Sequence, residues 1–76
     1  MKNNEYEIHA FWDKAASVLV AESTDVKSLV TEADTFEELR EKLQRLIPEL
    51  LEANGIETEE YIEYRVTTDF HETIHA

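Results

Sequence analysis

The stretch LVTEADTFEELREKLQRLIPELLEANG, residues 29–55, decides how this chain of 76 residues folds. It reads as a short apolar strand followed by the one long amphipathic helix in the sequence. Thr35 precedes Glu38 at the spacing of a capping box, which marks the start of the helix. Asn54-Gly55 marks its end, because glycine adopts the left-handed conformation of a helix terminus without steric cost.

One side of this helix is apolar. Its large apolar residues recur at spacings of three and four, so we expect them to pack against a sheet. Pro48 lies within the helix, where it lacks a backbone donor and crowds the carbonyl of Gln44, so a kink or a restart is expected near Ile47. The predicted apolar stripe consists of Phe36, Leu39, Leu43, Leu46, Ile47 and Leu50.

The segments on both sides of the helix alternate between apolar and polar residues, as half-buried strands do. We predict strands at residues 6–13, 18–23, 29–33 and 61–71, and a short connection pairs the first two as a hairpin. The order is β-β-β-α-β, so one helix covers one face of a mainly antiparallel sheet in a two-layer α+β fold. We expect residues 1–76 to form a single domain.

Acidic residues dominate the charge of the chain. It has 18 Asp and Glu residues against 7 Lys and Arg residues, for a formal net charge of −11. Direct binding to nucleic acid or to an anionic membrane requires clustered cations, and the sequence shows none. We expect a basic protein partner instead, because opposite fields speed and select encounters; solubility alone is the alternative interpretation of the charge.

The chain contains no cysteine, so it has neither a disulfide nor a thiolate metal site. A domain of this size has a thin core, which favours self-association into a homodimer or a higher oligomer. The N-terminus, MKNNEYE, lacks the apolar run of a signal peptide, and no segment has the length of a membrane span. We therefore expect a cytoplasmic protein.

Several short segments together resemble a bacterial family of small HicB-like proteins of largely unknown function. They are WD at 12–13, VAES at 20–23, LVTEADT at 29–35, LIPELL at 46–51 and NG at 54–55. This family is similar to the HicB antitoxins, whose N-terminal domain has the same element order in a partial RNase H-like fold. The resemblance implies an antitoxin that neutralises a small, basic, RNA-cleaving toxin by covering its active surface.

The sequence departs from that pattern in two respects. The family usually has Pro-Gly in the turn before the third strand, where this chain has Lys27-Ser28. HicB antitoxins often add a DNA-binding segment after this domain, and nothing here matches one, so DNA binding is not carried over. For the acidic contact rim of a protein-binding module we select Glu22, Asp25, Glu32 and Asp34.

The sequence HETIH, residues 71–75, fits the H-E-x-x-H pattern of zinc proteases. That chemistry needs His71 and His75 on one helical face to hold Zn²⁺ and Glu72 to activate the bound water. A strand pattern precedes the motif and the sequence ends at Ala76, so we interpret it as a polar tail. His9 is available as a third ligand only if the first and last strands are neighbours.

An RNase H-like topology also raises the question of nuclease activity, which needs several converging carboxylates to hold two metal ions. The acids near the strand ends are Asp13, Glu22, Asp25, Glu32 and Asp34, and scattered acids are expected at this composition. We predict no catalysis, no cofactor and no metal. The main hypothesis is a non-enzymatic acidic protein-binding module resembling the HicB antitoxin. The alternatives are a stand-alone HicB-like domain with another role, or a metal-dependent hydrolase using His71, Glu72 and His75.

Overall fold

The computed structural model describes residues 5–58, 60–69 and 73–76. Within them the predicted β-β-β-α-β order is confirmed. The elements are β1 (Glu5–Asp13), β2 (Val18–Glu22), β3 (Val30–Ala33), α1 (Phe36–Ala53) and β4 (Glu63–Asp69).

The strands form one sheet in the order β3-β2-β1-β4. The pairs β1–β2 and β2–β3 are antiparallel, so the predicted hairpin is confirmed. The pair β1–β4 is parallel. Parallel neighbours need a long crossover, which the helix provides on the way to β4. The sheet is therefore mixed, with β1 and β2 inside and β3 and β4 at its edges.

The core lies between one face of the sheet and α1. Ala10 is opposite Ala21 in the β1–β2 register, and both are fully buried. Such small side chains let the backbones of helix and sheet approach closely. The helix contributes a buried row at spacings of four residues, formed by Leu39, Leu43, Ile47 and Leu51. The predicted packing of the helix on one sheet face is thus confirmed.

The ends of the predicted stripe need correction. Phe36 remains 45% exposed, and Leu51, which we had not assigned to the stripe, is fully buried. Phe36 is the first helical residue and follows β3 closely, so it lies at the margin of the sheet. Leu51 continues the four-residue steps of Leu43 and Ile47, and Leu50 is only partly buried.

The helix runs without interruption from Phe36 to Ala53, so of the two expected effects of Pro48 the restart near Ile47 is wrong, and the kink stays a prediction. Pro48 and Gln44 both lie on the exposed side of the helix. The Gln44 carbonyl, which Pro48 leaves without its helical donor, therefore belongs to an exposed residue.

Both ends of the helix are capped, but the start differs from a reciprocal capping box. The Glu38 backbone N–H donates to Thr35 Oγ1 over 3.1 Å, as predicted. The Glu38 carboxylate accepts from the N–H of Asp34 over 3.0 Å, not from Thr35. At the other end Gly55 has a φ of +77°, and the N–H groups of Gly55 and Ile56 donate to carbonyls of the last turn in a Schellman motif.

Candidate protein-binding face

The sheet face opposite α1 is here called the open face. The strand registers and the alternation of side chains assign its residues. Helix α1, the one helix in the described part of the chain, packs on the other side. The open face carries Glu5, Glu7, His9, Phe11, Asp13, Val18, Val20, Glu22, Val30, Glu32, Glu63, Arg65, Thr67 and Asp69.

The centre of the open face is apolar. Phe11 of β1 lies opposite Val20 of β2, and both are partly exposed. The ring of His9 stacks on Phe11 with a centroid distance of 5.6 Å. Val30 on β3 is 70% exposed, although valine is among the residues most often buried. Phe11, Val18 and Val20 thus give the inner strands of the open face an apolar centre, and Val30 extends it onto the edge strand β3.

Two of the four predicted rim residues lie on this face. Glu22 is opposite Val30 and Glu32 is opposite Val20, so carboxylates and valines alternate across β2 and β3. Both glutamates are exposed, and no ion pair joins either one to another described residue. Their charge is therefore available to a binding partner.

The other two predicted rim residues have different surroundings. Asp25 lies in the loop between β2 and β3, where its Oδ2 accepts the N–H of Glu7 over 2.8 Å. Its carboxylate thus holds the loop against β1. Asp34 is exposed between β3 and α1, beside the helix start and off the strands. Of the four predicted rim residues, Glu22 and Glu32 therefore lie together on the open face. Asp25 has a structural role in the loop, and Asp34 lies beside the helix start.

A cleft of about 420 Å³ lies at one end of the open face, beside the loop between β2 and β3. Its floor includes one transverse row of the sheet, in which Val30, Glu22, His9 and Thr67 are successive cross-strand neighbours. The cleft is lined by Glu7, Ile8, His9, Glu22, Ser23, Thr24, Ser28, Leu29, Val30 and Thr67.

Ser23 organises the loop that walls this cleft. Its Oγ donates to the carbonyl of Glu7 over 2.7 Å and accepts the N–H groups of Asp25 and Val26, each over 3.0 Å. Val26 is fully buried and anchors the loop in the core. The wall is thus fixed by hydrogen bonds and packing, and the open face has a defined shape on this side.

The possible metal ligands are arranged as follows. Among residues 5–58, 60–69 and 73–76, no group of three or more His, Asp or Glu side chains is placed to hold a metal ion. The five acids near the strand ends are therefore not gathered into such a group. His71 and Glu72 lie outside the described residues, and His75 is exposed without regular structure. The first and last strands are neighbours, with His9 opposite Thr67.

No helix in the described chain is both long and apolar enough to cross a membrane.

Phe11 stands out in the sequence as a large apolar residue on the polar side of the first strand, but sequence reasoning missed the valines that lie beside it on the open face. The signal was present in the alternation of β2, since burial of Ala21 requires Val20 to point to the opposite side. Ala33 is buried on the helix side of the sheet, opposite Leu19. Val30 lies three positions earlier in the same strand, so its side chain points to the open face. Leu29 and Val30 are adjacent apolar residues that point to opposite sides, which makes this alternation hard to see in the sequence.

Comparisons with known proteins agree on fold and leave function open. A family model described as a domain of unknown function, DUF1902, matches residues 5–75. No protein of curated function matches the chain. The crystal structure of hypothetical protein TTHA1013 from the extremely thermophilic bacterium Thermus thermophilus is similar, with 44% sequence identity and a TM-score of 0.79. That similarity covers 92% of this chain and 99% of the other.

Proposed function

Since the chain belongs to the DUF1902 family, a family of unknown function, we propose that it is a non-enzymatic, acidic protein-binding module that acts in the cytoplasm. Its functional model is the HicB antitoxin that the sequence resembles. In that role the chain binds a small, basic, RNA-cleaving protein and blocks its activity without chemistry of its own.

The observation that carries this proposal is the composition of the open face. Protein interfaces combine an apolar centre with a polar rim. Here Phe11 and Val20 on the inner strands provide the apolar centre, and Val30 extends the apolar surface to the edge strand β3. Glu22 and Glu32 provide charge beside these valines. A contact that buries Val30 removes a large apolar surface from water, which favours association.

The sign of the charge favours a basic partner on this face. Arg65 is the only Lys or Arg in the four described strands. Two copies that met through their open faces would bring carboxylates such as Glu22 and Glu32 together, and like charges across an interface disfavour binding. A cationic protein neutralises the same carboxylates.

The proposed mechanism is masking of a cationic surface. An RNA-cleaving protein needs positive charge to hold the phosphate backbone. A rigid acidic sheet face that covers those cations competes with RNA for the same charges and excludes it sterically. Inhibition then requires only binding, and the carboxylates of Glu22 and Glu32 act as substitutes for phosphate groups.

The stand-alone HicB-like domain with another role is the second candidate, and a family of unknown function is equally consistent with it. It shares the same open face. The two candidates differ in the partner, because only the antitoxin role requires the partner to cleave RNA.

The test is capture of the partner with matched variants. The tagged full chain is compared with Glu22→Lys/Glu32→Lys, which reverses charge on the open face. The control is Glu41→Lys/Glu49→Lys, which makes the same charge change at exposed helix positions. We expect one basic protein to be retained by the wild type and the control and lost by the open-face variant.

The captured protein is then purified and assayed for RNA cleavage with increasing amounts of the wild-type chain. Stoichiometric inhibition that fails with Glu22→Lys/Glu32→Lys supports the antitoxin role. A basic partner with no RNA-cleaving activity supports the stand-alone alternative. Equal retention of the partner by both variants contradicts binding through the open face. A partner without basic character contradicts the proposed charge complementarity.

A further inference from the structure

Among the described residues, the outer edge of β4 is an unpaired strand edge. β4 is seven residues long and lies at the end of the sheet, with β1 on its inner side. No other strand of the described residues pairs with its outer side. Natural edges are blunted by shortness, charged side chains, proline or bulges. β3, the other edge, has four residues, whereas β4 is longer and contains neither proline nor glycine.

The helix leaves this edge uncovered. α1 lies over β2 and β3, not over β4. As a result Ile62, Tyr64 and Val66 pack against the core yet stay partly exposed on the helix side of β4. A small groove of about 110 Å³ runs between α1 and β4 and is lined by Leu43, Gln44, Ile47, Pro48, Ile62 and Tyr64.

The open-face side of the same edge carries charged side chains of both signs. Glu63 is opposite Glu5 in the β1–β4 register, so two carboxylates are neighbours. Arg65 reaches Glu5 over 3.4 Å. A cation opposite Glu63 on the outer side of β4 would complement the charge of that carboxylate.

We propose that β4 pairs antiparallel with β4 of a second copy of this chain, across a two-fold axis at Tyr64. The two sheets then form one continuous eight-stranded sheet. This register places Glu63 opposite Arg65 of the second copy, and Arg65 opposite Glu63 of the second copy. On the helix side it places Tyr64 opposite its symmetry mate and Ile62 opposite Val66.

The residues of β4 select this register among the symmetric ones. Directly opposed like charges destabilise a strand pair, and opposite charges and apolar pairs stabilise it. An axis at Arg65 sets two arginines opposite each other, and an axis at Val66 sets Glu63 opposite Asp69. An axis at Thr67 pairs Arg65 with Asp69 but sets Val66 opposite Thr68. Among the pairs that the described residues form, only the axis at Tyr64 combines opposite charges on one face with apolar pairs on the other.

Pairing through β4 also leaves the open face accessible, because the axis stands perpendicular to the sheet. Self-association and binding of a basic partner therefore occupy different surfaces. The local complementarity of Glu63 and Arg65 opposes the general repulsion of two acidic chains. Salt of about 0.15 M screens charges beyond about 8 Å and so weakens that repulsion more than the direct contacts.

The experiment is sedimentation equilibrium of the full chain at that salt concentration. We expect the wild type to form a dimer. Arg65→Glu alone sets Glu63 against a glutamate, and Glu63→Arg alone sets Arg65 against an arginine. Each variant should raise the dimer dissociation constant about tenfold or more, which corresponds to about 1.4 kcal/mol. Arg40→Glu, the same change at an exposed helix residue, is the control and should leave the constant unchanged.

An equimolar mixture of Arg65→Glu and Glu63→Arg should recover the wild-type affinity, because their heterodimer restores both opposite-charge pairs. The double variant Glu63→Arg/Arg65→Glu should also dimerise, and it serves if a single variant fails to fold. A wild type that stays monomeric at about 1 mM, the weak end of specific affinity, overturns the proposal. A mixture that does not recover the wild-type affinity also overturns the proposal. So does recovery of Arg65→Glu by Asp69→Arg and not by Glu63→Arg, because that result selects the register with its axis at Thr67.

Discussion

The carboxylate of Asp25 accepts a hydrogen bond of 2.8 Å from the backbone N–H of Glu7, which lies 18 positions earlier in the chain. This bond joins the loop between β2 and β3 to the central strand β1. It acts with Ser23, whose hydroxyl donates to the carbonyl of the same Glu7. Together they fix the wall of the cleft on the open face.

Replacing Asp25 with alanine should therefore destabilise the fold by about 1–2 kcal/mol. Hydrogen bonds to charged groups contribute about 1.5–3 kcal/mol, and exposure of this bond to water lowers its contribution. Asp25→Asn keeps an acceptor and should lose less. Urea denaturation of the two variants measures the difference. Equal stability of Asp25→Ala and the wild type would show that this bond does not hold the loop.

Leu43→Ala should cost about 2–5 kcal/mol, because Leu43 is fully buried in the centre of the helix row and leaves a cavity. Phe36→Ala is the matched comparison at the exposed end of the predicted stripe. Its cost should be clearly smaller, because Phe36 is 45% exposed. Thermal and urea unfolding give both values, and a larger loss for Phe36→Ala would contradict the observed packing.

Thr35→Ala should reduce stability by about 1 kcal/mol, since Thr35 Oγ1 caps the N–H of Glu38. Thr35→Ser retains the hydroxyl and should remain close to the wild type. Urea denaturation midpoints compare the two. A loss of the same size in Thr35→Ser would assign the effect to the methyl group and not to the cap.

Ser28→Gly should stabilise the chain by about 0.5–1 kcal/mol. Ser28 has a φ of +71°, and this left-handed conformation costs a residue with a Cβ about 1–2 kcal/mol. Glycine avoids that cost but loses more backbone entropy on folding, which offsets part of the gain. Ser28→Val should destabilise it, because a β-branched side chain fits this region poorly. Unfolding curves of the pair test the sign, and a destabilised Ser28→Gly would contradict the expectation.

The helix was predictable because its signals are local. Thr35, Gly55 and the four-residue spacing of Leu39, Leu43 and Ile47 all lie within one segment, and each determines structure without distant contacts. The Glu38 carboxylate accepts from the N–H of Asp34 and not, as the capping box predicted, from that of Thr35, because the side-chain rotamer decides between neighbouring donors. The prediction that Phe36 is buried was wrong, because helical spacing does not show how far the sheet extends beneath the helix.

The sheet order was less accessible. The parallel pairing of β4 with β1 joins Tyr6 to Tyr64, and nothing in either segment alone specifies that partner. The candidate site was predictable in part. Glu22 and Glu32 share the open face as alternation requires, while Asp25 is engaged by a distant N–H that no local pattern reveals. Val30 emerged as a candidate contact only when the register was known.

The central claim is that the open face binds a basic protein. Calorimetric titration of the captured basic partner into wild type, Val30→Asp and Ile74→Asp tests it most directly. Both variants place a carboxylate at a highly exposed apolar position, at 70% and 82% exposure, and only Val30 lies on the open face. We expect Val30→Asp to weaken binding about tenfold or more by placing a charge on the apolar surface of the open face, and Ile74→Asp to bind as the wild type does. Unchanged affinity of Val30→Asp would contradict the claim.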